Sequence, residues 1–253
     1  MHTVDTIMVL SNLRVHVAPV GFEIDRIVLS AKKMKADKVW LLVHRTPSED
    51  KARTFIEKIK NQLRKANIEV ATALHDRLDL FNIIKTVKEI IQNEKENDVY
   101  VNLSSGSKIH AIGCMMACMM FNDRKNIKPF YAEAEHYPGF EGKQQSTGVK
   151  KILSVPAYEI QIPRSELIQA LKIIKEHDGR ITKKEMAKLA EEKDLIVVNA
   201  RDENFEQARF ASLDKNIIQP LVDQWKFIEV EKIGRNRWIK ITEAGSQASE
   251  FLN

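Results

Sequence analysis

Residues 100–113 read YVNLSSGSKIHAIG: an apolar run ending in Asn102, a loop of small polar residues, and a helical pattern opened by Lys108. A strand that passes into a helix through Ser and Gly has the outline of a phosphate cradle. Neither common cradle fits. A P-loop places Ser or Thr directly after its Lys to hold Mg²⁺, whereas Ile109 follows Lys108. No G-x-G-x-x-G occurs in the stretch, and a dinucleotide fingerprint belongs after the first strand. What remains is general anion chemistry: small residues that let backbone N–H groups approach, hydroxyl donors, and the positive end of the following helix. The competing explanation is local, because Ser before a helix is ordinary capping chemistry. The loop alone does not choose between cap and ligand site.

The surroundings of the loop do more. Upstream, LRVHVA (13–18), KVWLLV (38–43), IEVATA (68–73) and DVYVNL (98–103) are apolar and β-branched, as strands buried on both faces should be. KPFYAEAE (128–135) closes the series. Helical patterns separate them: Ile24 to Met34, Glu49 to Ala66 with Ser48 as cap, Leu80 to Gln92, and Lys108 to Phe121. Strand, crossover, strand, repeated, predicts a mostly parallel sheet covered by helices. Right-handed crossovers then give a Rossmann-like order, most simply 3-2-1-4-5. In that order the first and fourth strands are neighbours where the winding reverses, and ligands bind outside their carboxyl ends. The loop after the first strand, APVGFEID (18–25), therefore faces SSGSK (104–108).

Composition narrows the class. With 43% hydrophobic and 30% charged residues among 253, the chain is globular. Two cysteines give no disulfide framework and suit a reducing cytosol. Cys114 and Cys118 share one helix face with no further ligand near in sequence, which makes them core residues and leaves no metal site. The longest apolar run, Ala111 to Phe121, is too short to span a bilayer, and the N-terminus has no signal-peptide pattern; the expectation is a cytoplasmic protein without a membrane segment. Helix 108–121 is apolar nearly all round, so more than the sheet should cover it. A second subunit does that, or a core cluster of methionines.

The pattern changes near Pro156 and Pro163, which sets an expected boundary between domains 1–160 and 161–253. Beyond it come a helix over 165–180 stopped by Asp178-Gly179, and a second over 182–192 with Thr182 and Glu185 placed as a capping box. A third follows from about Ser212 to Trp225, then two short strands around Gly234-Arg235-Asn236 and a last helix. Three helices and a hairpin make a winged helix. Its candidate DNA-contacting residues are Lys215 and Asn216 on the third helix and Lys232, Arg235, Arg237 and Lys240 on the wing. Winged helices also serve as dimerisation modules. Residues 163–253 carry 16 basic and 16 acidic side chains, so any DNA contact rests on local clusters, not bulk charge. Pro220, inside the third helix, predicts a kink or a later start.

The loops PVGFEIDR and NLSSGSK, followed by GRNRWIKITEAG, resemble those of archaeal CARF–winged-helix regulators, CARF being the CRISPR-associated Rossmann fold. The resemblance covers essentially the whole chain. It rests most specifically on Asn102, Ser104, Gly106 and Lys108 and on the domain order. It implies a homodimer that binds a cyclic oligoadenylate, tetra-adenylate foremost, across its two-fold axis. The ligand-binding residues it implies are Pro19, Gly21, Phe22, Asn102, Ser104, Ser105, Gly106, Ser107 and Lys108. Where many relatives have paired glycines in the second loop, this chain has Ser105-Gly106. It implies double-stranded DNA as the partner of the winged helix, no cofactor, and no catalytic residue. No HEPN ribonuclease motif occurs in the second half, whose only histidine is His177. Two alternatives stay open: a ring nuclease that cleaves its own ligand using Lys108 with His110 or a nearby serine, and a winged helix that docks protein.

Overall fold

In a computed structural model, which describes residues 12–46, 48–122, 126–137, 146–157 and 160–252, the apolar runs form one sheet. Strands β1 (Arg14–Pro19), β2 (Lys38–His44), β3 (Glu69–His75), β4 (Asp98–Asn102) and β5 (Ile127–Glu133) are parallel, and β6 (Lys151–Ser154) adds antiparallel to β5. Their order is β3-β2-β1-β4-β5-β6. The expected sheet is present, extended by one strand. Val15, Val17, Val99 and Val101 are fully buried, as central strands covered on both faces require.

Helices α1 (Asp25–Lys33) and α2 (Arg53–Lys65) pack on one face, where Ile27, Val28, Ile59 and Leu63 meet Val39, Leu41 and Val43 of β2. Helix α3 (Leu80–Asn93) covers the other face of β2: Trp40 Nε1 donates to Glu94, just past the end of α3, at 2.7 Å. Helix α4 (Lys108–Met120) packs beside α3, where a Cβ on Gly113 would lie 2.8 Å from Cγ2 of Ile83. Helix α2 begins later than its pattern suggests. Asp50 accepts the Ala52 N–H at 2.9 Å, so residues before Arg53 spend their hydrogen bonds on a turn and Ser48 is not the cap.

The chain divides into two units, Met1–Ile160 and Gln161–Asn253. Tyr158 and Glu159, in the expected linker, lie outside the described residues. The second unit runs α5 (Ser165–Glu176), β7 (Arg180–Thr182), α6 (Lys183–Glu192), α7 (Phe205–Leu213), β8 (Ile228–Ile233), β9 (Asn236–Ile241) and α8 (Glu243–Phe251), with a sheet β7-β9-β8. Helix α5 stops where expected, at left-handed Asp178 and Gly179. Thr182 Oγ1 accepts the Glu185 N–H at 3.2 Å, which caps α6. No return bond from the Glu185 carboxylate is seen; it lies 3.9 Å from His177 Nε2 instead.

The third helix corrects two expectations. It starts at Phe205, not Ser212, tied to α6 by Arg209, which bonds Glu191 at 3.1 Å and also reaches Glu206. It passes Pro220 without a break: π-helical turns Asp214–Ile218 and Pro220–Gln224 continue α7, and Gln219 keeps helical angles of −57° and −48°. In a π turn the carbonyls bond five residues on, as Pro220 O does with Trp225 N at 3.1 Å. The wider turn relieves the clash of the proline ring with the carbonyl four residues back, which in an α-helix costs about 3 kcal/mol.

Candidate functional site

The loops after β1 and β4 touch through backbone. A Cβ on Gly21 would lie 3.0 Å from Gly106 Cα, and one on Gly106 would lie 2.7 Å from Pro19 Cβ. Gly106 is also left-handed, with φ of 77°. Close approach and positive φ therefore both demand glycine there. Topology explains the meeting: β1 and β4 are hydrogen-bonded neighbours, so their carboxyl ends open side by side.

The site residues expected from sequence divide into a framework and a surface. Asn102 is buried; its Nδ2 donates to Arg26 O at 2.9 Å, and its Oδ1 accepts the Ser104 N–H at 2.8 Å and the Ser104 hydroxyl. Ser105 is buried too, and its Oγ has no hydrogen-bond partner among the described residues. Phe22, Ser107 and Lys108 are exposed. Phe22 meets Phe55 edge to face at 5.5 Å between centroids. Lys108 makes no hydrogen bond or ion pair with the described residues; Pro19 is buried, and Gly21 and Gly106 are half-buried.

Ser107 does cap α4. Its Oγ accepts the His110 N–H at 3.4 Å, while His110 Nδ1 accepts the Ser107 N–H at 3.1 Å and lies 2.7 Å from Ser107 Oγ. Histidine thus occupies the position usually taken by Glu in a capping box. Because Nδ1 accepts, the network assigns the ring proton to Nε2. That nitrogen sits 2.6 Å from Nε2 of His75, the last residue of β3. His75 therefore accepts at Nε2 and carries its own proton on Nδ1, which forms no well-aligned hydrogen bond among the described residues, although the Val43 carbonyl lies near the ring. Both rings are buried. Burial pushes the pKa of each down to about 4: for His75 a Val43 carbonyl opposes this, and for His110 the neighbouring His75 and Arg77 add to it. The sequence reading missed His75. The available signal was its place at the carboxyl end of a strand, the end where the loops gather.

In the second unit, register separates the predicted wing residues. Lys232 pairs with Arg237 and Glu229 with Lys240. Side chains alternate along a strand, so Lys232 and Arg237 share one face of the hairpin and Lys240 occupies the other. Arg180, the partner of Lys240 on β7, stacks over Trp238 at 4.6 Å on that second face. Lys215 is exposed; Asn216 is partly buried and donates to Ser212 Oγ at 3.1 Å.

Among the described residues no group of three or more His, Cys, Asp or Glu is arranged to hold a metal. Cys114 and Cys118 are fully buried, and burial pushes the Cys114 thiol up to about 12, so they act as core side chains. No helix among the described residues is long and apolar enough to cross a membrane.

Residues 14–137 match the family model described as HFX_2341_N-like, N-terminal, and residues 166–253 match the DUF6293 C-terminal winged helix domain. The chain therefore joins a mostly parallel α/β unit to a C-terminal winged helix domain. A relative in Methanocaldococcus jannaschii, the uncharacterized protein MJ1513, is 24% identical over 322 aligned residues, spanning 94% of this chain and 96% of that protein. Solved structures with distant likeness include Enterococcus italicus Csm6 bound to cyclic hexa-2′-fluoro-hexa-dAMP, at a TM-score of 0.44 and 9% identity over 85% of this chain. Another is Can2 from Sulfobacillus thermosulfidooxidans in complex with cyclic tetra-adenylate, at 0.41 and 12% identity over 95% of this chain. This chain spans 56% and 63% of the lengths of those two proteins.

The buried histidines make acid stability a test of this packing. His16 of β1 lies between Tyr100 and Phe130 with ring centroids 5.3 and 5.4 Å away, and burial pushes it down to about 4. All three groups have folded pKa values below the ordinary 6.5. The unfolded chain therefore binds more protons between pH 6.5 and 4, and stability falls as pH drops through that window. Each histidine contributes a slope of up to about 1.4 kcal/mol per pH unit, or about 4 for the three. Denaturant midpoints measured from pH 7 to 4.5 should show that fall, and His16→Phe should remove about a third of it. A flat profile would mean that the rings are solvated.

Proposed function

We propose that this protein is a ligand-responsive DNA-binding transcriptional regulator of the cytoplasm. On this reading two CARF-type units form a homodimer that senses a cyclic oligoadenylate or related nucleotide, and the winged helix engages duplex DNA. One observation carries the ligand reading: the backbone contact of Gly21 with Gly106 beside exposed, unpaired Lys108. A phosphate needs room to approach backbone N–H groups, a cation, and hydroxyl donors. Phe22 offers a ring face to a splayed base. A cyclic oligoadenylate presents phosphates around a ring, and two such loops related by a two-fold axis match its symmetry. Ser107 acts as a cap, yet its exposed hydroxyl and Lys108 stay available on the outside of the turn.

The dimer reading rests on α4. Ile112 is 53% exposed, and Met115, Met116, Met119 and Met120 are only partly buried, on a helix without a polar stripe. A second copy of this chain is the cover that also doubles the ligand loop. Light scattering at micromolar concentration should return the mass of two chains; a single-chain mass would defeat the dimer.

If the loop cradles phosphate, Lys108→Ala removes a charged hydrogen bond of about 1.5–3 kcal/mol from each protomer. Affinity for a symmetric ring should then fall by about 4 kcal/mol, roughly a thousandfold. Gly106→Val should be as harmful, since φ and the Pro19 contact both exclude a side chain. Calorimetry with cyclic tetra-adenylate and its larger homologue on the folded Lys108→Ala protein checks this. Unchanged affinity for every ring that wild type binds would leave the loop as a helix cap alone.

A second reading, a ring nuclease, has one observation in its favour: Ser107 Oγ sits 2.7 Å from His110 Nδ1, with His75 behind it. A ligand 2′-hydroxyl at Ser107 passes its proton through Oγ to Nδ1. Its oxygen attacks the adjoining phosphorus, and the 5′-oxygen leaves with a proton from Lys108. The product is a linear strand ending in a 2′,3′-cyclic phosphate. Incubation with labelled cyclic tetra-adenylate distinguishes the two readings. Linear product from wild type that disappears in Ser107→Ala favours the nuclease; intact ring after prolonged incubation favours the sensor.

A further inference from the structure

In the second unit a groove of about 580 Å³ separates the start of α6 from the tip of the β8–β9 hairpin. Lys183 and Lys184 stand on one side, Arg235 to Arg237 on the other, and Phe210 of α7 also lines it. Among the described residues no carboxylate lines the groove. Lys183 is committed to Asp214 at 2.6 Å and lies 5.7 Å from the centre of the Phe210 ring. Lys184, Arg235 and Arg237 are exposed and have no ion pair with the described residues. Some other cations of the unit are paired, as Arg180 is with Glu231 and Arg209 with Glu191 and Glu206, while Lys172, Lys193, Lys215 and Lys226 have no ion pair with the described residues and stand scattered, away from the groove lining.

Two features add to the positive field. Lys232 stands directly across the hairpin from Arg237, an arrangement of like charges that destabilises a strand pair unless an anion covers it. The first turn of α6 leaves N–H groups without intrahelical acceptors, and Thr182 takes that of Glu185. A unit with no net charge thus gathers unpaired cations and helix donors around one groove. Guanidinium groups facing a lysine and backbone donors suit the oxygens of a phosphate chain.

We propose that this groove clamps the sugar–phosphate backbone of duplex DNA, with Lys184 contacting from α6 and Arg235 and Arg237 from the wing. The proposal rests on the reading of the winged helix as a DNA-binding module and states where that module holds its partner. It moves the contact away from Lys240, on the opposite face of the hairpin. It adds Lys184, which nothing in the sequence pattern singled out.

The test uses the full chain and a labelled mixed-sequence duplex of about 20 base pairs, titrated between about 50 and 200 mM salt. The double variant Arg235→Ala/Arg237→Ala should weaken binding about tenfold or more and lower the salt slope by about two; Lys184→Ala should lower it by about one. Lys240→Ala should match wild type. All these side chains are exposed, so the variants should fold, and circular dichroism checks that they do. Wild-type affinity and slope in the groove variants, or a loss carried by Lys240→Ala, would overturn the groove while leaving DNA binding intact. No duplex binding by wild type at low salt would remove the underlying reading and the groove with it. Displacement of DNA by micromolar ATP would make a free nucleotide the occupant, and tighter binding of single-stranded RNA would make the strand the wrong one; either overturns the proposal.

Discussion

The contact between Gly21 and Gly106 is the constraint around which the first unit is arranged. Two loops approach at backbone distance only if their strands are neighbours and neither loop carries a side chain at the crossing point. Parallel pairing of β1 with β4 supplies the first condition, and the two glycines supply the second. Both loops then lie together at the carboxyl edge of the sheet, which is where open α/β sheets bind ligands.

Buried polar bonds hold the two loops in that position. Asn102 ties the start of the second loop to the backbone of α1 at Arg26. Arg26 in turn donates to Ala132 of β5 at 2.9 Å and lies 3.4 Å from Glu23, which also accepts from Ser146. Arg26 and Glu23 are both buried, and removing either would strand the other charge, a loss of about 3–5 kcal/mol. The His75–His110 pair braces the loop from the other direction, fixing the ring whose Nδ1 holds the Ser107 N–H. Movement of the loop would break bonds that reach β3, α1 and β5.

The second unit reaches its surface by different means. Its third helix absorbs Pro220 by widening into π turns, so the helix remains continuous where a kink was expected. Its hairpin sorts basic residues by register, because neighbours along a strand face opposite ways. A balanced composition thereby yields a groove lined by Lys183, Lys184, Arg235 and Arg237, while Arg180 stacks over Trp238 on the face that carries Lys240.

The sheet order, the winged helix and the two opposing loops were legible in the sequence because they depend on local periodicity, turn residues and the handedness of crossovers. Each of those is a property of short segments. The sequence also offered a serine cap at this turn and Lys108 as its cation, without choosing between cap and ligand site; the structure assigned the cap to Ser107. Tertiary structure alone decided that Asn102 and Ser104 are framework, because their partners include Arg26, 76 residues distant from Asn102. It alone joined His75 to His110 across 35 residues, and it alone set Lys240 apart from Lys232 and Arg237. Hydrogen bonds between distant segments and the parity of a strand register depend on how elements meet in space, and no pattern within a single element records that.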